Sequence, residues 1–477
     1  MIILSIWSRF LFKYLLPVFL IYVLVTLVNP GFMGTDEYWT GITRYIPAQS
    51  SQLSTLVGTD DVKSPTQLWP LFVTAQGALK LGIENPFAQY QFVVVVLGLL
   101  SFLLVFGSFY AWRESLSDLE MRILILLLGF YFAAPFALSR PMFESLAAPW
   151  LSWAGIFALK YDRQPKLNFL LFGIIAVTLS FLLRPQIGFC ALIFLILPVL
   201  HRRFGDLIWA GLLGAILFAV SGLPDLFLRG SWHFSLHALT NYNFEHGHEY
   251  GNQPWTFYPL MLLLMFWAPF VFHKVDKTWL VDYLKKYRAL LIMSILFIFL
   301  HSLFAQKFER FLIPLLPFIM VLLSPWLASL WAHGHYKRLA SAFVINLALW
   351  GTATFQPAQN NIIQMALFLD KNPQIKSIYR VNQSPEWIPT AFMKTAQFQF
   401  LEISEENLST LSLSNCQDRV VLAANLESLA ANKPWTEEAR FTVNWMEALA
   451  YRFNPKNNLR RTELTLWRSN ACKQNGS

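Results

Sequence analysis

The sequence predicts an all-α polytopic membrane protein with about eleven transmembrane helices, followed by a small α/β domain. Two observations support this fold class. Apolar residues make up 55% of the 477 residues and charged residues only 14%, whereas about 25% of residues are charged in soluble domains. Long apolar runs, such as 92–112 and 311–331, recur along most of the chain. Each run is long enough to cross about 30 Å of hydrocarbon as a helix.

Apolar windows define the individual spans and assign residues 1–356 to a transmembrane domain. Arg9 and Lys13 precede the first window as in a signal peptide, but no small-residue cleavage site follows it. We therefore expect a first transmembrane helix at this position. The predicted spans are 12–29, 92–112, 122–138, 146–160, 167–183, 186–200, 207–223, 256–273, 289–305, 311–331 and 339–355.

Lysine and arginine residues predict the orientation of the spans. With the N-terminus in the cytoplasm, about sixteen of them fall in inner segments and about eight in outer segments up to residue 356. This excess on the cytoplasmic side follows the positive-inside rule. The net charge of +9 therefore reflects topology, and we expect no nucleic acid as a partner.

Residues 357–477 are less apolar and predict a separate soluble α/β domain. Short apolar stretches at 377–381, 398–403 and 419–424 alternate with helical patterns. An odd number of spans places this domain outside the cytoplasm. Cys416 and Cys472 lie in it, and the sequence leaves open whether they pair, as cysteines do in oxidising compartments.

The first outer loop, residues 30–90, begins with the adjacent carboxylates Asp36 and Glu37. An ionised carboxylate at the membrane surface can take the proton of a substrate hydroxyl. The alternative is that these acids are solvated loop residues or a helix N-cap. Asp60 and Asp61 in the same loop are weak evidence for a metal, because aspartates are common in turns.

Three short outer turns carry charges that a short turn does not need. Ionisable groups this close to hydrocarbon are costly and usually face a cavity or a partner, which makes them candidates for function. The alternative is local pairing, of Arg140 with Glu144 or of Arg310 with Glu309. The charged residues of the three turns are Arg140, Glu144, Arg184, Lys307, Glu309 and Arg310.

The outer loop 225–255 contains a polar and aromatic run. His246 and His248, together with Glu249, could be metal ligands, since alternate residues on a strand share a face, but no other pattern supports zinc. We instead predict a sugar-binding surface, because amides bind hydroxyl groups and aromatic faces pack on sugar rings. The run ends with Tyr250, Gly251, Asn252, Gln253, Pro254 and Trp255.

Several of these segments resemble motifs of one known family. Asp36 and Glu37 correspond to the acids of a His-Pro-Asp-Glu signature whose first two residues differ here. The run 250–255 resembles a Tyr-Gly-Thr-His-Pro-Trp motif, and the turns 140–144 and 184–185 resemble two further turns of that family. The segments occur in the order of the family and all on the predicted outer side.

A final segment gives the most specific match. His301 and the run 306–311 resemble a His-Ser motif and a His-Lys-Glu-x-Arg-Phe motif followed by prolines, with Gln306 and Phe308 replacing a histidine and an acid. The resemblance covers residues 30–320. The sequence thus resembles the Alg9-like and PIG-B-like enzymes of glycosyltransferase family 22, which extend lipid-linked oligosaccharides and glycosylphosphatidylinositol anchors with mannose.

This resemblance implies a GT-C fold and an inverting transfer from a polyprenyl- or dolichyl-phosphate sugar to a glycan or glycolipid acceptor. Asp36 is then expected to deprotonate the acceptor hydroxyl and Glu37 to assist. Cations can stabilise a monophosphate leaving group without a divalent ion, so we expect no metal and no cofactor. The residues expected to bind the donor phosphate are Arg184, Lys307, Arg310 and Arg140.

The same resemblance implies a site that faces away from the cytoplasm. We expect a bacterial inner membrane with the site and the C-terminal domain in the periplasm, or alternatively an endoplasmic reticulum membrane with both in the lumen. A flippase for lipid-linked saccharides is the alternative function, since charges near hydrocarbon also mark transport pathways. The residues expected to bind sugar and acceptor are Trp39, His246, His248, Tyr250, Gln253, Trp255 and Glu309.

Overall fold

The computed structural model describes a mostly helical chain with one small sheet near its C-terminal end. Helices coincide with the apolar windows, and the sheet lies in the less apolar region. The described residues are 2–34, 37–42, 46, 62–247, 253–381, 388–394, 398–408, 410–411, 413, 415–431, 433–453, 455 and 461–473, with side chains from residue 13 onward except at 39, 40, 424 and 473.

Most helices before residue 356 coincide with predicted spans, several of which are broken, and the helices Pro65–Lys80, Phe234–His246 and Lys277–Lys286 lie outside those spans. The predicted span 122–138 consists of two helices, and the span 256–273 is interrupted at Trp267, whose φ is +48°. The helices are Ile2–Val28, Pro65–Lys80, Pro86–Trp112, Asp118–Phe130, Ala134–Ser139, Phe143–Arg163, Leu167–Leu183, Ile193–Leu200, Phe204–Ser221, Leu223–Arg229, Phe234–His246, Phe257–Met265, Ala268–Val271, Lys277–Lys286, Arg288–Leu303, Leu316–Ala332 and Tyr336–Phe355.

Shorter helical turns complete this part of the chain. A π-helical turn covers Glu37–Ile42, and 3₁₀ helices cover Pro185–Leu192 and Glu309–Leu315. Within the described residues, four helices are long and apolar enough to cross a membrane, and a fifth counts if Lys277–Lys286 and Arg288–Leu303 are taken as one span bent by 71°. The chain is an integral membrane protein, and the number of eleven spans stays a prediction.

The helices differ in how much of their surface other helices cover. Leu316–Ala332 is central, because its side chains are buried all round from Leu316 to Leu330. Phe204–Ser221 instead exposes large apolar side chains along its length, as a helix in contact with lipid does. Gly155 allows the helix Phe143–Arg163 to pack closely here, because a Cβ at this position would lie 2.4 Å from the ring of Phe318.

The chain consists of two compact units. The first unit comprises residues 1–28, 48–74 and 93–351 and holds most of the apolar helices. The second unit comprises residues 29–47, 75–92 and 352–477. Parts of the first outer loop thus belong to the same unit as the C-terminal residues, while the predicted boundary at 356/357 stays a prediction.

A five-stranded sheet forms the centre of the C-terminal part. The strands are β1 Ser377–Val381, β2 Gln399–Ile403, β3 Asp418–Ala423, β4 Trp435–Phe441 and β5 Leu464–Ser469, in the order β2-β1-β3-β5-β4. β1, β2 and β3 are parallel, and β5 is antiparallel to both β3 and β4. The three predicted strands are therefore confirmed, whereas β4 and β5 were not predicted.

Helices and a disulfide surround this sheet. The helices are Asn360–Lys371, Glu405–Leu408 and Trp445–Phe453. Val420 and Leu422 of β3 point into an apolar core with Val381, Leu426 and Trp435. Cys416 and Cys472, whose pairing the sequence left open, form a disulfide that ties the start of β3 to the segment after β5.

Candidate active site

A buried ion pair lies at the end of the helical hairpin formed by Phe143–Arg163 and Leu167–Leu183. Glu144 begins the first helix and Arg184 directly follows the second, so their side chains meet. Arg184 Nη2 lies 3.1 Å from Glu144 Oε1, and the two side chains are only 9% and 6% exposed. Glu144 therefore pairs across the hairpin with Arg184, whereas the local alternative predicted from the sequence paired Glu144 with Arg140.

Two guanidinium groups face one aromatic ring beside this pair. The Cζ atom of Arg184 lies 4.8 Å from the ring centroid of Phe311, and that of Arg310 lies 5.3 Å from the same centroid. Arg310 also lies over the ring of Phe308, at 4.5 Å. The turn that carries Arg310 packs against the helix Phe143–Arg163. The structure thus brings together two of the predicted phosphate-binding residues.

Lys307 lies in the same turn and is almost fully buried. Its Nζ atom donates hydrogen bonds to the carbonyl oxygens of Gln253, at 2.9 Å, and of Phe304. The backbone N–H of Gln253 donates in turn to the carbonyl of Ala305, at 3.1 Å. Burial lowers the pKa of the Lys307 ammonium below its ordinary value. An ammonium has three donors, so Lys307 joins two predicted motifs and retains a donor beyond these two bonds.

Tyr258 and His301 lie beside the residues around Phe311, and the sequence predicted a binding role for neither. The Tyr258 side chain is buried, and its hydroxyl interacts electrostatically with Arg184 and Arg310. Its ring contacts that of His301 edge to face, with centroids 6.2 Å apart. His301 Nδ1 lies 2.8 Å from the carbonyl of Phe297. Tyr258 lies only three residues after Trp255 in the sequence, and this proximity was the available signal.

Arg140, the fourth predicted cation, is fully buried in the first unit. Its guanidinium lies 4.7 Å from the ring centroid of Phe136 and donates to the hydroxyl of Ser139 at 3.3 Å. These contacts belong to its own turn.

A second set of contacts in the first unit involves Lys63, which lies within the segment 30–90. Arg229 donates to the carbonyl of Lys63 at 2.6 Å and to the hydroxyl of Ser235 at 2.5 Å, and it lies 3.6 Å from Asp225. The Lys63 ammonium lies 5.6 Å from the ring centroid of Phe143, the neighbour of Glu144 in the sequence. Lys63, just before the helix Pro65–Lys80, is thereby fixed near the start of the helix Phe143–Arg163.

The predicted sugar-binding residues are only partly described. Gln253, Trp255 and Glu309 are exposed, Trp255 by 71%. His246 is the last residue of the helix Phe234–His246, so the proposed alternation of metal ligands along a strand does not occur there. His248 and Tyr250 lie outside the described residues. Across the described part of the chain, no three His, Cys, Asp or Glu side chains are grouped to hold a metal ion.

The acidic pair of the first outer loop belongs to the second unit. Glu37 is buried, and its Oε2 atom accepts a hydrogen bond from the backbone N–H of Met33 at 2.8 Å. The hydroxyl of Tyr90 donates to Oε1 of Glu37 at 3.5 Å. Asp36 lies outside the described residues, as does the side chain of Trp39. Because Glu37 is buried and its carboxylate accepts these hydrogen bonds, it is an ordered part of the loop rather than a solvated acid.

Comparison with known families determines the class of protein. A model of the Alg9-like mannosyltransferase family matches residues 59–386, which is more than half of the chain. The chain belongs to the Alg9-like mannosyltransferase family. The resemblance predicted from the motifs is confirmed, and family membership makes this chain a glycosyltransferase. The match begins at residue 59, so it does not extend to Asp36 and Glu37.

Solved structures with the same fold are known. The crystal structure of ArnT from Cupriavidus metallidurans bound to undecaprenyl phosphate has a TM-score of 0.59 and 13% identity, over 96% of this chain and 98% of that chain. Its apo structure has a TM-score of 0.60 and 14% identity, over 99% of each chain. The likeness confirms the predicted GT-C fold. No curated protein sequence matches the chain.

Proposed function

We propose that this family member transfers a sugar, mannose in keeping with its family, from a polyprenyl- or dolichyl-phosphate donor to a glycan or glycolipid acceptor. The observation that carries the proposal is the group of cations at the turn that contains Phe311. Arg184 and Arg310 face its ring, and Lys307 lies in the same turn. The bound undecaprenyl phosphate of the ArnT structure supports a lipid phosphate as the ligand class.

The chemistry of the leaving group explains why cations are needed. When the bond between the anomeric carbon and the phosphate oxygen breaks, its electron pair leaves with the lipid phosphate. Fixed cations in a site of low dielectric stabilise this developing charge without reorganisation. Glu144 holds Arg184 in place at 3.1 Å, and the phosphate then competes with Glu144 for the N–H groups of Arg184. Arg140 stays in the proposal as the fourth residue that binds the donor phosphate.

The acceptor requires a base. In the proposed step the carboxylate of Asp36 takes the proton of the acceptor hydroxyl, whose oxygen attacks the anomeric carbon and inverts it. Glu37 orients this part of the loop through its bonds to Met33 and Tyr90. The exposed Gln253 and Trp255 are suited to hold the sugar, with Trp39, His246, His248, Tyr250 and Glu309 as the other proposed contacts.

The charge distribution supports an outer site. We propose that the cation group and the C-terminal domain face the periplasm of a bacterial inner membrane, with the lumen of the endoplasmic reticulum as the alternative. The excess of Lys and Arg on the opposite side supports this orientation. A disulfide between Cys416 and Cys472 also fits an oxidising compartment.

The substitution Asp36→Asn tests the proposed base. The purified variant should fold and bind polyprenyl-phosphate mannose, but transfer mannose at least about a hundredfold more slowly, because the general base is lost. Transfer from radiolabelled donor to acceptor lipid measures the rate in proteoliposomes. A near-normal rate would exclude Asp36 as the base. Movement of donor across the bilayer without a new glycosidic bond would favour the flippase function instead.

A further inference from the structure

In the second unit, the part of the first outer loop that carries the acids contacts the backbone of the C-terminal residues. Asn29 Nδ2 donates to the carbonyl of Ala353, at 2.8 Å, and Asn29 Oδ1 accepts from the N–H of Gly31, at 3.0 Å. Gly31 approaches Ala358 so closely that a Cβ at position 31 would lie 2.4 Å from the Ala358 nitrogen. Gln359 donates to the carbonyl of Phe32, at 3.2 Å.

A second contact lies on the other side of the acidic pair. The Tyr38 hydroxyl accepts a hydrogen bond from the backbone N–H of Ala391 at 3.0 Å and lies 3.4 Å from the hydroxyl of Thr390. Tyr38 is only 1% exposed. Burial raises the pKa of the Tyr38 hydroxyl above its ordinary value, so the phenol keeps its proton in the physiological range of pH.

Aromatic packing links these contacts to Glu37. The ring of Phe392, which is fully buried, lies 6.1 Å from that of Tyr38, 5.3 Å from that of Phe87 and 4.9 Å from that of Tyr90. The one O–H of Tyr90 in turn has two acceptors within reach, Oε1 of Glu37 at 3.5 Å and the carbonyl oxygen of Gly31 at 3.3 Å. One apolar cluster therefore contacts residues on both sides of Glu37 in the sequence.

We infer that residues 352–359 and 390–392 fix the geometry of residues 29–34 and 37–42, with Gly31, Tyr38 and Phe392 as positioning residues for Glu37. The catalytic part of this inference rests on the proposed function, in which the acids of this segment act on the acceptor. The C-terminal residues are then a structural part of the catalytic apparatus, rather than a module that recruits the acceptor.

Displacement of the loop has a specific effect on the kinetics of transfer. A loop acid displaced by about 1 Å loses its alignment with the acceptor hydroxyl, which costs on the order of a hundredfold in rate. Such a displacement lowers kcat and leaves the KM for the donor unchanged, since the proposed phosphate contacts lie in the first unit. A module that only recruits the acceptor would raise the acceptor KM and leave kcat unchanged.

Two pairs of matched substitutions test the inference in the full-length protein. Tyr38→Phe removes the hydroxyl that Ala391 binds, and Tyr379→Phe is its control, because Tyr379 packs on the core of the sheet. Gly31→Ala forces the backbone away from Ala358, and Gly77→Ala is its control, because no atom lies within 4 Å of a Cβ at position 77.

Hydrogen–deuterium exchange measures the contact without any assay of activity. Amides of peptides that cover residues 29–42 and 388–394 should exchange roughly fivefold faster in Tyr38→Phe, as expected for one lost hydrogen bond. They should exchange faster still in Gly31→Ala and at the wild-type rate in both controls. Unchanged exchange in Tyr38→Phe and Gly31→Ala would overturn the inference, whatever reaction the protein catalyses.

Transfer kinetics on the same samples measure the catalytic consequence. We expect kcat to fall roughly fivefold in Tyr38→Phe and on the order of a hundredfold in Gly31→Ala, with an unchanged donor KM. Faster exchange with a wild-type kcat, or a raised acceptor KM alone, would refute a positioning role. If the wild-type protein transfers no sugar from any lipid-phosphate donor, the proposed function fails, and the exchange experiment still decides whether the contact fixes the loop.

Discussion

The ion pair between Arg184 and Glu144 allows a structural role to be separated from a catalytic one. Its atoms are 3.1 Å apart and both side chains are more than nine-tenths buried. With an effective dielectric constant of about 20, Coulomb's law gives an attraction of roughly 5 kcal/mol at this distance. Removal of one partner from a buried pair costs about 3–5 kcal/mol, whereas replacement of both by apolar residues of similar volume is often neutral.

These magnitudes define a double-mutant experiment. We expect Arg184→Met alone to lower the apparent stability by about 3–5 kcal/mol, because the Glu144 carboxylate is left buried without a counter-ion. The double variant Arg184→Met/Glu144→Met should recover most of that loss. Sugar transfer should stay reduced by about 10²–10³ in both variants, because the leaving phosphate loses its cation.

The assay combines thermal unfolding in detergent with initial rates of transfer from lipid-phosphate sugar. Lys286→Met is the matched control, because it breaks the Lys286–Glu120 pair of the same unit, at 3.3 Å, away from Phe311. It should lower stability and spare the specific rate of folded protein. Recovery of transfer together with stability in the double variant would show that Arg184 acts only in folding, and the assignment of Arg184 to the donor phosphate would be wrong.

Three further predictions concern protonation, the disulfide and metal ions. Burial lowers the pKa of Lys307, so its charge is lost at a lower pH than that of an exposed lysine. The donor KM should therefore rise as the pH increases from 7 towards 10, and Lys307→Arg should move this rise to higher pH; superimposable profiles would contradict the assignment. The 56-residue separation of Cys416 and Cys472 predicts that Cys416→Ser/Cys472→Ser destabilises the C-terminal part by about 4 kcal/mol, measured as faster tryptic cleavage there; equal cleavage with and without the bond would disagree. Chelator should leave transfer unchanged, and a loss restored by magnesium or manganese would establish a metal requirement.

The fold could be predicted where the signal is local. The stretches at 377–381 and 419–424 are short, apolar and bounded by polar residues, and strands form at Ser377–Val381 and Asp418–Ala423. β4 contains Glu437, Glu438 and Arg440 and reads as a polar segment, so no apolar alternation identified it. Its pairing with β5 supplies the stabilisation that its own sequence lacks.

The partner of Glu144 was predictable in principle. The helices Phe143–Arg163 and Leu167–Leu183 are joined by only a few residues, so they pack antiparallel, and the start of one lies beside the end of the other. This geometry places Glu144 next to Arg184. The contact of Asn29 with Ala353 has no comparable signal, because the two residues are more than 300 positions apart and no local pattern refers to the other.

The second unit determines the order in which the protein can mature during synthesis. Its parts at 29–47 and 75–92 leave the ribosome long before residues 352–477, and domains generally form as units once their segments are available. The loop that holds Glu37 therefore waits for most of the chain before it reaches its final contacts. A chain interrupted before Ala391 lacks the N–H that binds Tyr38.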